Sequence, residues 1–471
     1  MPHAPIVSVF RKASGRQKHF GLDWLRALAS ILVVVFHAGI PYMSAEFPGL
    51  VWCIDDAPAR SAVMDAVCWK IDTFIMPLFF VMSGFLACQS CRHSCPFSLA
   101  RSRIVRLGVP FLLAVVVVLP VEFYVWLTGW VIDGRISLQQ MRPRNIGPIL
   151  QESLGGVAHL WYLQSLLVFC VGAGLIVGAK RKLLLSSAPV NPKRSSSTGA
   201  RLLTAGLVVL GCFLTSASAL CWKPCIVIGF HLTCLPHPAN LLYYAPCFAL
   251  GWFWNSFEFR PSRATGLAAL SAAAGLFFAT LPLISAHVAK PEAGSGLLRL
   301  VLAFVACGWL AAFGWATLAL NTIRPVTPAV EYLSRASLWI YLVHLPICGL
   351  TQIALRTIEV GGIWKCAIVT ATTLGFCLLT YEAAVRNRLL DRLVNGIQPR
   401  VALGLALTAA GQLGVEESLP TAQSESVETS RPRPGRKRVE PAAIRRHRHA
   451  TDVHSFAQSR RHAPRREQPL R

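Results

Sequence analysis

Charged residues are scarce in this sequence. Asp, Glu, Lys and Arg make up only 14% of its 471 residues, whereas about a quarter is usual for a soluble protein. Hydrophobic residues reach 54%, and the mean hydropathy is +0.50. This deficit of charge excludes an ordinary soluble domain and indicates that lipid surrounds much of the chain.

Acidic residues are fewer than basic residues. The chain has 22 Asp and Glu against 46 Lys and Arg, which gives a formal net charge of +24. In a soluble protein that balance would suggest nucleic-acid binding. The Lys and Arg residues are instead concentrated in alternate connections between apolar stretches and in the C-terminal tail. Membrane topology predicts that distribution, so we expect no nucleic-acid partner.

Several other signals are missing. No run of alternating polar and apolar residues predicts a membrane β-barrel, and no glycine-rich phosphate loop or serine-hydrolase elbow occurs. A cleavable signal peptide is not apparent, because the first apolar stretch, Leu22 to Tyr42, is too long and contains Asp23 and Arg26. That stretch is predicted to be a retained first span.

Apolar runs of about twenty residues recur along the chain, each long enough to cross a bilayer as a helix. Backbone amides in lipid must be satisfied within such a segment. The predicted fold class is therefore all-α, a polytopic integral membrane protein with about ten transmembrane helices. The predicted spans are 22–43, 71–89, 104–130, 159–179, 201–220, 240–257, 264–285, 298–320, 335–355 and 363–383.

Charge in the connections predicts the orientation. Basic residues mark the cytoplasmic side of membrane proteins, so both termini are predicted to be inside. The basic clusters are Arg11, Lys12, Arg16 and Lys18; Arg92, Arg101, Arg103 and Arg106; Lys180, Arg181, Lys182, Lys193 and Arg194; and Arg386, Arg388 and Arg392. The first loop on the other side is acidic and holds Glu46, Asp55, Asp56 and Asp65.

The chain divides into three parts. Residues 1–20 are predicted to form a basic cytoplasmic segment, residues 21–395 a ten-helix membrane domain, and residues 396–471 a basic cytoplasmic tail. From about residue 416 the tail is rich in Ser, Pro, Arg and His, and such a composition predicts disorder. The tail is either a solvated segment without specific function or a polybasic segment held against anionic headgroups.

Ionisable residues inside spans are costly and therefore mark candidate sites. Arg26 and His37 are eleven residues apart in the first span, so about 100° per residue brings both to one helix face, about 16 Å apart along the axis. A cation near the cytoplasmic end suits an anionic ligand, and a deeper imidazole suits a proton acceptor. The alternatives are a snorkelling arginine beside Asp23 and a histidine that only bonds a neighbouring helix.

A second basic site is predicted at the start of the third span. Arg103 and Arg106 are three residues apart and hence neighbours on a helix face, with Arg101 close by. Guanidinium groups bind phosphates through paired hydrogen bonds. Ordinary positive-inside anchoring is the alternative for both residues and fully explains Arg101.

The chain has fifteen cysteines, several of them inside spans as small apolar residues. Cys88, Cys91, His93 and Cys95 have the spacing of zinc ligands, but free thiols at a membrane edge are the preferred interpretation, so no metal site is predicted. Disulfides are possible on the outer side, and their pairing is not readable from the sequence. The cysteines assigned there are Cys53, Cys68, Cys221, Cys225 and Cys234.

Six phrases, in order along the chain, resemble the family-3 membrane acyltransferases. They are GLDWLRALASILVVVFHAG (21–39), FFVMSGFLA (79–87), RIVRLGVPF (103–111), HLWYLQSLL (159–167), SLWIYLVHLPI (337–347) and YEAAVR (381–386). The ordered set covers nearly the whole membrane domain. Within the family, the spacing of the first three phrases is similar to the glucan biosynthesis protein C branch, which modifies periplasmic glucans.

The resemblance implies roles for particular residues. The family's Arg-x10-His motif falls on Arg26 and His37, the histidine being the catalytic base or acyl relay, and His344 matches a second histidine. The Arg-x-x-Arg motif falls on Arg103 and Arg106, near the phosphates of acyl-CoA. The HLW motif falls on His159 and Trp161.

The resemblance also implies a reaction and a location. An acetyl or succinyl group would pass from cytoplasmic acyl-CoA, a donor substrate, to a hydroxyl of an extracytoplasmic glycan or glucan, with no cofactor, in the bacterial inner membrane. The partners are then acyl-CoA, the acceptor and the bilayer. The rival hypotheses are a transporter or flippase and a non-catalytic scaffold that uses the tail for docking.

Two further features lie outside the motifs. Glu122, in the outer part of the third span, is a candidate for binding an acceptor hydroxyl, although a carboxylate at headgroup level is the simpler interpretation. Ser83 and Gly84 are predicted to serve close helix packing, because small residues let backbones approach.

Overall fold

A computed structural model describes residues 20–45, 50–92, 96–141, 156–186, 198–223, 234–257, 259–321 and 327–386. Most of the predicted N-terminal segment and all of the predicted tail, 396–471, lie outside these residues. The disorder predicted for the tail therefore stays a prediction.

The described residues form eleven α-helices. These are α1 Phe20–Gly39, α2 Ala62–Arg92, α3 Pro96–Arg103, α4 Val109–Ile132, α5 Trp161–Ser186, α6 Thr198–Trp222, α7 Pro238–Ser256, α8 Arg263–Ala289, α9 Gly294–Leu320, α10 Pro328–Leu355 and α11 Gly362–Thr380. A π-helical turn, Ile104–Gly108, joins α3 to α4, and a second, Tyr381–Val385, extends α11.

Nine of the described helical segments are long and apolar enough to cross a membrane, and α7, with 19 residues, is a tenth helix. Within the described ranges the only β-type pairing is one bridge between Met43 and Ser61. The predicted all-α polytopic class is confirmed. The second span was predicted to begin at residue 71, but α2 begins at Ala62, because its polar first turns are held by the loop: Asp65 accepts a hydrogen bond from the Ser44 amide at 2.8 Å.

Successive spans run in alternating directions. We refer to the membrane face at which α1 begins as the N face and to the opposite one as the far face. Helices α2, α5, α7, α9 and α11 begin at the far face, and α1, α4, α6, α8 and α10 begin at the N face. The assignment of the N face to the cytoplasm stays a prediction.

Helix α2 is the centre of the bundle and packs closely on α7. A Cβ atom added to Gly84 of α2 would lie 1.9 Å from the Phe248 carbonyl oxygen, and one added to Gly251 of α7 would lie 1.9 Å from the Val81 carbonyl oxygen. Only glycine permits this mutual backbone contact. The packing role predicted for Gly84 is confirmed.

The outer surface of the bundle is apolar. On α4 the side chains of Leu112, Val116 and Val117 are largely exposed, and α6 exposes Leu203 and Leu207 in the same way. In water such a surface would aggregate, whereas lipid chains solvate it without cost. The bundle therefore requires a bilayer around it.

A covering segment, residues 50–61, lies across the far face and is held by ion pairs. Asp56 accepts from the Lys365 ammonium at 2.5 Å, and both side chains are almost fully buried. Asp133 Oδ2 accepts from the Asp55 amide at 2.7 Å, and Asp133 Oδ1 forms an ion pair with Arg356, whose Nε lies 2.7 Å away. Because these charges are removed from water, loss of one partner would leave the other unpaired in a low dielectric.

The α2–α7 contact predicts a stability difference between two glycine variants. Gly84→Ala should lower the melting temperature of the purified protein, because overpacking at a backbone contact costs about 1–3 kcal/mol. Gly275→Ala is the matched control in α8, since nothing lies within 4 Å of its added Cβ atom. Equal melting temperatures for both variants in thermal unfolding would contradict the contact.

Candidate active site

A cavity of about 290 Å³ lies between α1, α2, α5 and α10 and the π turn before α4. At its N-face end it is lined by four arginines, Arg26, Arg103, Arg106 and Arg335. At its inner end it is lined by His344 and Tyr341. The wall between is mainly apolar. The cavity therefore joins a cationic mouth to an imidazole inside the membrane domain.

The two arginines predicted to bind phosphate come from an irregular stretch of backbone. Arg103 is the last residue of α3, and Arg106 lies within the π turn. Single π turns are rare and are often found at functional sites, because they redirect side chains. Both side chains line the same cavity, as their predicted shared face requires.

Arg26 is held between two helices at the same mouth. Its Nη1 atom is 3.4 Å from Asp23 Oδ1 and 3.4 Å from Ser334 Oγ of α10. Ser334 Oγ also donates to Asp23 Oδ1 at 3.3 Å. The arginine side chain remains about one-third exposed, at 37%, so its charge is available to a ligand entering the cavity.

His344 and His37 form the central pair. His344 Nε2 lies 3.2 Å from His37 Nδ1, and the ring centroids are 5.0 Å apart. His344 Nδ1 faces the Ile340 and Tyr341 carbonyls at 3.0 and 2.9 Å, which assigns the proton to Nδ1 and the lone pair to Nε2. The sequence placed the deep imidazole at His37, but in the structure His344 lines the cavity and His37 lies directly behind it.

His37 Nδ1 also lies 2.8 Å from the Val33 carbonyl. One proton on this nitrogen therefore serves both Val33 and His344 Nε2. His37 Nε2 has no hydrogen-bond partner among the described residues, so in this tautomer its lone pair is free to accept a proton.

His159 extends the pair toward the far face. Its ring centroid lies 5.3 Å from that of His344, and its Nδ1 is 2.9 Å from Glu122 Oε2, although the two groups are not aligned as in a good hydrogen bond. Glu122 and His159 are 7% and 3% exposed. The interpretation of Glu122 as a headgroup-level carboxylate is wrong, because the carboxylate is buried against an imidazole.

The other predicted residues have different surroundings. Trp161 does not line the cavity and instead packs on Tyr244, with centroids 5.2 Å apart. Ser83, predicted only as a packing residue, lines the cavity and lies 3.1 Å from the Tyr162 hydroxyl. Its place in the SGF turn of α2, beside Gly84, gave no sign of this second role.

Sequence reasoning also missed residues that hold the histidines in place. The Tyr341 hydroxyl donates to the His159 carbonyl oxygen. Ala158, just before His159, has a left-handed φ of 42°, a strained conformation for a non-glycine residue. The single available signal was Tyr341 itself, three residues before His344 and therefore on its helix face.

The covering segment closes the far side of the site. The Trp52 ring stacks on His37 with ring centroids 6.1 Å apart. The Trp52 Nε1 donates to Gln352 Oε1 at 2.8 Å. Gln352 Nε2 in turn donates to the His37 carbonyl oxygen at 2.9 Å. Trp130 Nε1 donates to the Trp52 carbonyl oxygen at 2.9 Å. Trp52 of the covering segment and Gln352 thus lie as a hydrogen-bonded layer against His37.

The cysteines form no disulfide within the described residues. Cys53 and Cys68 are buried free thiols, Cys221 and Cys234 are exposed free thiols, and Cys225 lies outside the described ranges. Cys88 and Cys91 are buried in α2, whereas His93 and Cys95 are not described. The structure therefore describes only two of the four residues that have the spacing of zinc ligands.

Together, the lipid-facing bundle and the buried histidines beside a cationic cavity define an integral membrane protein with a polar internal cavity. The family model described as an acyltransferase domain, that of the acyltransferase 3 family, matches residues 19–382. The chain therefore belongs to the acyltransferase 3 family and is a membrane acyltransferase. Comparison with curated proteins and with solved structures gave no significant match.

The Glu122–His159 contact predicts a loss of stability on truncation. Glu122→Leu should lower the free energy of unfolding by about 1–3 kcal/mol, since it removes the carboxylate that lies 2.9 Å from the buried His159 ring. Glu331→Leu is the control, because Glu331 pairs with Arg335 at an exposed position, where ion pairs contribute about 0–1 kcal/mol. Denaturant or thermal unfolding would measure both, and an equal, small effect would contradict the buried pairing.

Proposed function

We propose that this acyltransferase moves an acetyl or succinyl group from acyl-CoA at the N face to a hydroxyl of a glycan at the far face. The observation that carries the proposal is the continuous series of groups from the arginine-lined mouth, through His344, to His37 and His159. The N face is then cytoplasmic, in agreement with the predicted orientation, and the location is a bacterial inner membrane.

Donor binding uses the two parts of the cavity. Guanidinium groups bind phosphate oxygens strongly and in pairs, so Arg103 and Arg106 would hold the phosphates of acyl-CoA, with Arg26 and Arg335 adding charge. The apolar wall, formed by residues such as Met76 and Phe79, suits the narrow, uncharged arm of acyl-CoA that carries the thioester. The carbonyl carbon would then lie near His344.

The transfer requires one base. His37 Nε2, the free lone pair of the His37–His344 pair, accepts the proton of the acceptor hydroxyl, whose oxygen attacks the thioester carbonyl carbon. The carbon–sulfur bond then breaks, and the sulfur leaves with a proton as the free thiol of CoA. In a two-stage alternative, the imidazole itself first accepts the acyl group and then passes it to the hydroxyl.

Glu122 and His159 would support this step from the far side. A carboxylate 2.9 Å from an imidazole stabilises positive charge on the ring. His159 in turn lies against His344, so the buried negative charge acts on the whole histidine group. The proposal that Glu122 binds the acceptor hydroxyl directly is thereby replaced by a role as charge partner of His159.

Histidine variants test the reaction. His37→Ala and His344→Ala should each lower kcat by at least about a hundredfold, because general base catalysis contributes 10²–10⁴ in rate. His287→Ala is the matched control, since His287 is also buried but lies in α8. Transfer from radiolabelled acyl-CoA to glycan by purified protein in nanodiscs would measure the rates.

Each variant must elute as a monodisperse species with a normal melting temperature. Transfer at the wild-type rate in folded His37→Ala and His344→Ala protein would overturn the proposal. Loss of transfer in His287→Ala alone would place the reaction elsewhere.

Arginine variants test the donor site separately. Arg103→Gln and Arg106→Gln should each raise KM for acyl-CoA about tenfold with little change in kcat, since a charged hydrogen bond contributes about 1.5–3 kcal/mol. Arg101→Gln should leave KM unchanged, because Arg101 is exposed and does not line the cavity. Unchanged donor KM in the first two variants would reduce these arginines to topology anchors.

A further inference from the structure

His37 acquires a positive charge in the proposed reaction, and no carboxylate of the described residues pairs with it. The polar contacts of its ring are the Val33 carbonyl oxygen at 2.8 Å and His344 Nε2 at 3.2 Å, and Nδ1 makes both of them. The residue is 6% exposed, so the charge forms almost out of reach of bulk water. A buried charge is costly unless protein groups stabilise it. A further stabilising group beside the ring is therefore expected.

The face of the Trp52 indole lies against this imidazole. The two ring centroids are 6.1 Å apart, and the ring planes are inclined by only 18°. Phe36 also contacts the imidazole, with centroids 5.0 Å apart, but its plane is inclined by 72°. The face of an aromatic ring carries the negative part of its quadrupole, and indole attracts cations more strongly than phenyl or phenol rings. Of the two rings, Trp52 is the one stacked face to face with His37.

The contacts of Trp52 hold the indole in this orientation. Its Nε1 donates to Gln352 Oε1 at 2.8 Å, and its backbone carbonyl oxygen accepts from Trp130 Nε1 at 2.9 Å. The ring of Trp126 packs against it with centroids 5.1 Å apart. Trp52 itself is 5% exposed. A ring fixed in this way needs no reorganisation when charge develops on its neighbour, which is the condition for efficient electrostatic stabilisation.

We propose that Trp52 is a positioning residue for acyl transfer, whose indole face stabilises the positively charged imidazole of His37. The inference rests on the proposed function, because the charge arises when His37 accepts the proton of the acceptor hydroxyl. The imidazole gives up this proton when the CoA sulfur leaves as the thiol, so the charge exists only during the reaction. Trp52 does not line the donor cavity. Its effect is therefore on kcat and not on KM for acyl-CoA.

A series of fluorinated tryptophans tests the charge interaction at nearly constant ring size. Mono-, di-, tri- and tetrafluorotryptophan at position 52 of the full-length protein weaken the negative ring face in steps. The kcat of acyl transfer in nanodiscs should fall in the same steps, about tenfold in total, with unchanged KM for acyl-CoA. Trp254 is the matched control: its buried indole also donates to a backbone carbonyl, that of Phe259, but it stacks on Phe313. The same series at Trp254 should keep the wild-type kcat.

Two ordinary variants separate the aromatic face from the indole hydrogen bond. Trp52→Phe and Trp52→Leu both lack the donor to Gln352, but only the first keeps an aromatic ring. In protein with equal melting temperatures, kcat of Trp52→Phe should exceed that of Trp52→Leu about threefold. Equal kcat values in the two folded variants would contradict the role of the ring face.

The outcomes for the inference and for the proposed function are distinct. A constant kcat along the Trp52 series, in protein that transfers acyl groups, would overturn the inference and leave the proposed function standing. An equal fall of kcat in the Trp254 series would also overturn it, because the effect would not be specific to the ring beside His37. If the wild-type chain transfers no acyl group from acyl-CoA, the proposed function fails and the inference fails with it.

Discussion

The contact between His344 and His37 depends on the whole bundle. The two residues are 307 positions apart in the sequence, and their 3.2 Å separation requires α1 and α10 to pack side by side. Both rings are buried: His37 is 6% exposed and His344 is 0% exposed. The neighbouring backbone carbonyls of Val33, Ile340 and Tyr341 fix the ring orientations.

The surrounding fold holds these rings without a hydrophobic driving force between helices, because lipid is as apolar as the helix surfaces. Two kinds of contact stabilise the helix packing instead. Glycines allow backbone contact, as at Gly84 and Gly251, and polar groups bridge helices, as where Ser334 of α10 meets Asp23 of α1. The site therefore lies where these close contacts converge, around α1, α2 and α10.

Periodicity and charge predicted most of the fold from sequence, because apolar length and basic flanks are local properties. They misplaced the start of α2, since Asp65 and Lys70 interrupt its apolar pattern although the helix continues through them. For the site, helical periodicity placed Arg26 and His37 on one face of α1. It could not show that His344 lies between His37 and the cavity, nor that Glu122 faces His159, because both depend on contacts between distant helices.

Gln352 links the covering segment to the backbone of α1. One end of its side-chain amide accepts from the Trp52 indole, and the other donates to the backbone of His37. Displacement of Trp52 outward would remove the indole donor from the amide oxygen of Gln352, which would keep only the weak Cys53 thiol as a donor, and would loosen its hold on the last turn of α1. The covering segment and the backbone that positions the His37 ring are therefore coupled through one side chain.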